Sequence, residues 1–188
     1  MRKIVISLHT TLDGFVAGPN GEMDWIKFDD ALFDLVGKFT NEADTALYGR
    51  VTYEMMQGYW PTAADQHNAT KHDIEHSSWY NRVEKVVISK TMKGQQIDKT
   101  TIVSDNITEE IQKIKNGEGG NIMIFGSPSA AHTLMEHHLI DEYWLFVNPV
   151  LLGEGIPVFP KIKNRVDLEL VNIVRFEYGV TGLNYRVK

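Results

Sequence analysis

Cysteine is absent from the 188 residues. Its absence removes disulfides, thiolate nucleophiles and thiolate metal sites together, and it fits a reducing compartment. Long apolar runs are missing as well. No stretch approaches the roughly 18 residues that a membrane helix needs, and the apolar opening Ile4–Leu8 is too short for a signal-peptide core. A cytoplasmic protein with no membrane partner is expected. Positive charge is not in excess: Lys plus Arg is 19 against 25 Asp plus Glu, a net charge of -6. Generic nucleic-acid binding asks for clustered cations, so no nucleic-acid partner is expected. There is no G-x-G-x-x-G and no Walker A sequence. His72 and His76 stand four apart, a zinc-compatible spacing, and His67 lies nearby. The segment is polar and lacks the glutamate of a zincin, so it reads as a solvated helix face and no metal site is expected.

What is present is ordinary for a globular protein: 43% hydrophobic and 23% charged residues. The length suits one domain over residues 1–188. Lys3–His9 reads as a strand entering the core. Thr11–Gly21 is dense in turn signals. Asp29 can cap a helix to about Phe39, with Leu32, Leu35, Val36 and Phe39 on one face. Strands follow at Ala43–Tyr48, Lys85–Ser89, Thr100–Val103, Asn121–Phe125 and Ile140–Val147. Helices are expected at Val51–Gln57, Thr70–Arg82, from Asn106 or Thr108 to Asn116, and from Ser127 to about His138. Asp167–Phe176 and Gly182–Val187 read as a closing antiparallel pair. Strand and helix alternate, so the expected architecture is α/β: a mostly parallel sheet flanked by helices, with an antiparallel C-terminal edge. Such sheets bind ligands at the carboxyl ends of their strands.

Three strand ends carry residues suited to an anion. Leu47-Tyr48-Gly49-Arg50-Val51-Thr52 runs from strand through glycine into a helix. Gly49 allows close backbone approach, the helix N-terminus attracts anions, and Arg50 and Thr52 add a guanidinium fork and a hydroxyl. A plain helix start with a surface arginine is the other reading. Ile88-Ser89-Lys90-Thr91 delivers polar groups at the end of a buried strand, or forms a solvated loop. Phe125-Gly126-Ser127-Pro128-Ser129 again ends a strand at glycine, with Pro128 suited to a first helical turn. A well-capped tight turn would look the same.

In this order and spacing, these segments resemble the dihydrofolate-reductase-like superfamily. The branch typified by the C-terminal reductase domain of the bifunctional riboflavin-biosynthesis deaminase/reductase is the better match. Thr11-Leu12-Asp13-Gly14-Phe15-Val16-Ala17 is similar to the branch's opening, Gly49-Arg50-Val51-Thr52-Tyr53-Glu54 to the superfamily's G-R-x-T-x-E, and Gly126-Ser127 to its glycine pair. Pro149-Val150-Leu151-Leu152-Gly153-Glu154-Gly155 is similar to the branch's P-x-L-L-G-x-G. The resemblance implies a three-layer αβα fold and an NADPH-dependent reductase of a small pyrimidine- or pterin-like substrate, similar to 5-amino-6-(5-phosphoribosylamino)uracil reductase, and it implies a homodimer. It implies that Arg50 and Thr52, beside Gly49, hold cofactor phosphates. Ser89 and Lys90 would approach the adenine ribose and its 2′-phosphate. Gly126, Ser127 and Ser129 would meet the diphosphate, and Ala17 would border the nicotinamide. Asp13, Asp30, Trp25 and Leu151-Leu152-Gly153 would face the substrate. Ser127 departs from the glycine pair, whose peptide is often cis in the superfamily, so this turn is either strained or differently built.

The deaminase partner's cysteine signature is absent from these residues, so a stand-alone reductase-like chain is expected. Asp13 and Asp30 are the candidate proton donors, since a half-buried carboxylate can carry a raised pKa. Turn chemistry for Asp13 and helix capping for Asp30 are the competing roles. His9, near the site, is either a ligand contact or a core histidine. Two further functions stay open: a non-catalytic NADPH-binding regulator on the same fold, and a dihydrofolate reductase.

Overall fold

Along the first strand the side chains sort to two faces, and both faces are buried. Ile4, Ile6 and Leu8 join one apolar cluster, whereas Val5 joins another. A strand buried on both sides belongs at the centre of a parallel sheet, and that is its place in the computed structural model, which describes residues 1–159, 162 and 164–188. This strand, β1 (Ile4–Thr11), lies between β6 (Asn121–Phe125) and β7 (Glu142–Asn148) and runs parallel to both. Beyond β6 come β3 (Ala43–Gly49), β4 (Glu84–Ile88) and β5 (Thr100–Val103), all parallel. Beyond β7 come β10 (Thr181–Val187) and β9 (Leu168–Arg175), both antiparallel to their neighbours. The sheet order is β5-β4-β3-β6-β1-β7-β10-β9.

The helices divide between the two faces. α1 (Asp30–Glu42) and α3 (Lys71–Arg82) pack Leu32, Val36, Phe39, Trp79 and Tyr80 onto the face that holds Val5, Tyr48 and Met123. α4 (Ile107–Asn116) and α5 (Pro128–Glu136) pack Ile111, Ala130 and Leu134 onto the face that holds Ile6, Leu47 and Ile124. The result is the expected αβα sandwich with an antiparallel C-terminal edge. α2 (Arg50–Tyr59) starts directly at the end of β3 and buries Tyr53.

Two segments differ from the sequence expectation. The turn-rich stretch after β1 contains a short strand, β2 (Phe15–Ala17), paired antiparallel with β8 (Ile156–Pro157). Gly14, at φ +89°, supplies the left-handed turn that brings it there. The second difference is α3. Its capping box, Thr70 with Asp73, fixes the start as expected. Its inner face, however, buries His76, Ser77, Trp79 and Tyr80, so the reading of His72 and His76 as a solvated face is corrected. No helix among the described residues is long and apolar enough to cross a membrane.

Candidate active site

The carboxyl ends of β1 and β6 open into a cavity of about 570 Å³. Ser7, Leu8 and His9 of β1 form its floor together with Phe125, Gly126 and Ser127. β6 is inserted between β1 and β3, so the chain leaves these neighbouring strands in different directions and a crevice remains, as the topology of open α/β sheets requires. Ala17 of β2 and Ile156 of β8 close one side. Leu32, Phe33 and Val36 of α1, Met55 and Met56 of α2, and His72 and His76 of α3 close the other.

On the strand-end side, Gly49 and Ser127 meet. The Gly49 N–H donates to Ser127 Oγ at 2.7 Å in a buried bond. A Cβ on Gly49 would stand 2.8 Å from Ser129 Oγ, so a larger residue here would have to displace that hydroxyl. Gly126 and Ser127 both adopt left-handed backbone, at φ +68° and +56°, with no cis peptide among the described residues. The turn is therefore built from two consecutive left-handed residues. For Ser127 that conformation costs roughly 1–2 kcal/mol, and its Oγ bond to Gly49 offsets the cost. Neither α2 nor α5 has a side-chain cap at its first residue. Their first-turn N–H groups have no side-chain cap, and each helix start carries the positive end of its dipole. Thr52 lines the cavity, and Arg50 sits exposed beside it, paired with Glu54 at 2.7 Å. Ser129 is exposed on the first turn of α5. Ser89 and Lys90 lie on the same carboxyl edge but do not line the cavity. Ser89 Oγ accepts from the Met92 N–H at 3.2 Å, and Lys90 is exposed.

The expected substrate and acid residues are placed differently. Asp13 is exposed, and its carboxylate accepts from Thr11 Oγ1 at 2.6 Å, Gly153 N–H at 2.7 Å and Leu152 N–H at 3.1 Å. These bonds, that of Thr11 foremost, hold its pKa below the ordinary carboxylate value, the wrong direction for a proton donor. It clamps the 149–155 stretch to the β1–β2 turn, so Leu151, Leu152 and Gly153 contribute no wall to the cavity. Asp30 is exposed at the start of α1. Asp29 performs the capping, accepting from Leu32 N–H at 2.7 Å and from Glu177 N–H at 2.6 Å. Trp25 is turned aside, its Nε1–H donating to Glu22 O at 3.3 Å.

The titratable side chains that do line the cavity are ones to which the sequence reading gave no role there, or only an open one. His9 stacks on Phe146, its register partner on β7, at 5.2 Å, and burial lowers its pKa to about 4. His72 stacks on Phe33 at 4.1 Å and is also lowered by burial. His76 lies 4.0 Å from the Trp60 ring, and burial lowers its pKa to about 3. All three imidazoles are neutral at pH 7. Asn148, fully buried at the end of β7, donates to Phe146 O at 3.0 Å and accepts from Lys27 N–H at 3.0 Å, which ties the 23–28 wall to the sheet.

A family model, the RibD C-terminal domain, matches residues 2–181. The chain belongs to the RibD C-terminal domain family. Within it, the Bacillus subtilis protein YyaP is 38% identical over 188 residues, covering 98% of this chain and 94% of YyaP. Among solved structures, the Thermotoga maritima diaminohydroxyphosphoribosylaminopyrimidine deaminase/5-amino-6-(5-phosphoribosylamino)uracil reductase superposes with TM-score 0.68 at 16% identity, covering all of this chain and 57% of that one. Dihydrofolate reductase from Enterococcus faecalis, complexed with NADP(H), superposes with TM-score 0.65 at 17% identity, covering 99% of this chain and 96% of that one. These two structural likenesses establish a shared dihydrofolate-reductase-like fold. In this RibD C-terminal domain, the adjoining uncapped starts of α2 and α5 are chemically suited to a dinucleotide's diphosphate. The Ser127–Gly49 bond holds the strand ends before both helices at a fixed separation.

Proposed function

We propose that the chain is an NADPH-dependent reductase of a small, ring-bearing carbonyl or imine compound of the pyrimidine or pterin kind. One observation carries this reading. Two helix N-termini without side-chain caps, joined by the Gly49–Ser127 bond, adjoin an apolar cavity large enough for a planar ring. Arg50, Thr52, Ser127 and Ser129 would hold the cofactor phosphates, Ser89 and Lys90 would approach its adenosine end, and Ala17 would border the nicotinamide. NADPH held there would supply the hydride for the C=O or C=N carbon. The chain's own part is orientation and exclusion of bulk water. No lining group among the described residues is a ready acid at neutral pH: His9, His72 and His76 are held neutral, Asp73 is held ionised, and the Tyr59 hydroxyl already donates to Asp73, which raises its pKa further. The proton that completes the reduction comes from water.

That missing acid also favours a second reading, a regulator that binds NADPH without turnover. Thermal shift with NADPH, NADH and ADP-ribose is the first test. A ligand at about 100 times its Kd adds ~2.7 kcal/mol of stability, and no shift with any dinucleotide ends both readings. A shift without NADPH oxidation across pyrimidine and pterin carbonyl compounds selects the regulator. Arg50→Ala is expected to weaken NADPH more than NADH, which would extend its phosphate contact to the 2′-phosphate; equal losses would confine it to the diphosphate that both dinucleotides share. The proposal includes a cytoplasmic homodimer. The edge strand β9 leaves Leu170, Val171 and Ile173 exposed, and a monomer in sedimentation equilibrium would refute pairing through it.

A further inference from the structure

The half of the cavity away from the strand ends has a composition of its own. No lysine or arginine is among the described residues that line any part of the cavity. The basic residues next in sequence to lining positions, Lys27, Arg50 and Lys71, are exposed and none of them lines the cavity; Arg50 pairs with Glu54 at 2.7 Å and Lys71 with Asp34 at 3.0 Å. Asp73, the one lining carboxylate, already accepts from Thr70 Oγ1 at 2.7 Å and from Tyr59 Oη–H at 2.9 Å. The three lining histidines carry no charge at neutral pH. A phosphate ester taken out of water needs cations or several charge-assisted donors, and this compartment offers none.

What it offers is flat and apolar. Phe33 and His72 stack at 4.1 Å, and Trp60 faces His76 at 4.0 Å. Met55 and Met56 supply adaptable apolar contacts beside them. His76 lines the cavity but is only 5% exposed, and both ring nitrogens are buried without a hydrogen-bond partner, so what it presents to the compartment is the apolar part of its ring.

We infer that this compartment takes an uncharged planar ring bearing no phosphate ester, so that the substrate differs in class from a phosphoribosyl pyrimidine. The inference rests on the reductase reading for its word substrate, but its binding chemistry can be tested without turnover. The probes are 1-naphthol and 1-naphthyl phosphate, identical except for the phosphate, titrated calorimetrically into the full chain with and without saturating NADPH. The naphthol is expected to bind at least about tenfold more tightly than the ester under both conditions. Met55→Lys places a cation at a lining position that is 52% exposed, where the fold tolerates it. It is expected to tighten the ester by about tenfold and leave the naphthol within about threefold. Equal or tighter binding of the ester by the unaltered chain overturns the inference, as does no binding of either probe. If the naphthol preference persists while NADPH fails to bind, the compartment's chemistry stands and the reductase reading falls.

Discussion

Where β3 and β6 end, the cavity is built from backbone: two glycines, a left-handed serine and the first turns of two helices. Across from it, where α1, α2 and α3 converge, the cavity is built from side chains, most of them aromatic or methionine. The first wall presents fixed dipoles to an anion. The second presents polarisable apolar surface and neutral imidazoles. A dinucleotide reductase needs both materials, one for the part of its ligands that the superfamily shares and one for the part that varies between substrates. The difference teaches where constraint lies, because the backbone wall depends on a few exact conformations, whereas the side-chain wall can change composition without changing the fold.

The largest expected effect is a pH dependence that the first wall does not share, carried by His9 on the cavity floor and His76 in the second wall. His9 and His76 have folded-state pKa values of about 4 and 3 against 6.5 when unfolded. Between 6.5 and those values the unfolded chain binds more protons than the folded one. Their stabilisation is therefore complete above about pH 6.5 and is lost as pH falls below it. Each unit of pH in that window costs about 1.4 kcal/mol per group, so the pair forfeits roughly 4 kcal/mol by pH 5. Most carboxylates are ionised in both states across this range, which leaves the window to the histidines. Urea denaturation from pH 7.5 to 5 should show this slope, and His76→Phe should remove about half of it. An unchanged slope in the variant would mean that His76 is not buried as a neutral ring.

The first wall is probed by Ser127. Ser127→Ala leaves the Gly49 N–H buried without its 2.7 Å partner, a loss of about 1–3 kcal/mol. NADPH should weaken with it, because the two strand ends are no longer tied. Ser127→Gly also loses the bond but relieves the left-handed strain of φ +56°, so its stability should fall between those of the parent and the alanine variant. Equilibrium unfolding orders the three chains. An alanine variant as stable as the parent would remove the tie from the description of this wall.

Much of the first wall was legible because its constraints are local. A glycine or Gly-Ser pair at the end of an apolar run, followed at once by a helix, encodes strand end and helix start within six residues, as Gly49 and Gly126 do. The second wall was not, because each of its helices contributes a few residues and no single segment shows the pattern. α3 did carry a signal: His72, His76, Trp79 and Tyr80 recur at helical spacing and form an inward stripe. The polar residues between them masked it. Asp29 caps α1 as the sequence indicates, and Asp30, read as a candidate acid, lies exposed on the first turn away from the cavity lining. Asp13 was read from its place beside Gly14, but its partners lie 139 and 140 residues away in sequence at Leu152 and Gly153.

That long-range clamp gives the smallest expected effect. It joins two stretches that carry the family resemblance, 11–17 and 149–155, and it lies outside both walls. Asp13→Asn keeps the shape but turns one acceptor into a donor, which cannot face the Leu152 and Gly153 N–H groups at once with the Thr11 hydroxyl. Amide hydrogen exchange at Leu152 and Gly153 should accelerate, while NADPH affinity stays within about twofold of the parent. If Asp13 instead supplied a proton to substrate, turnover would collapse with exchange at these two amides unchanged. The three bonds it accepts, and the lowered pKa they produce, place it with the scaffold that holds the cavity's rim and not with the proton donors.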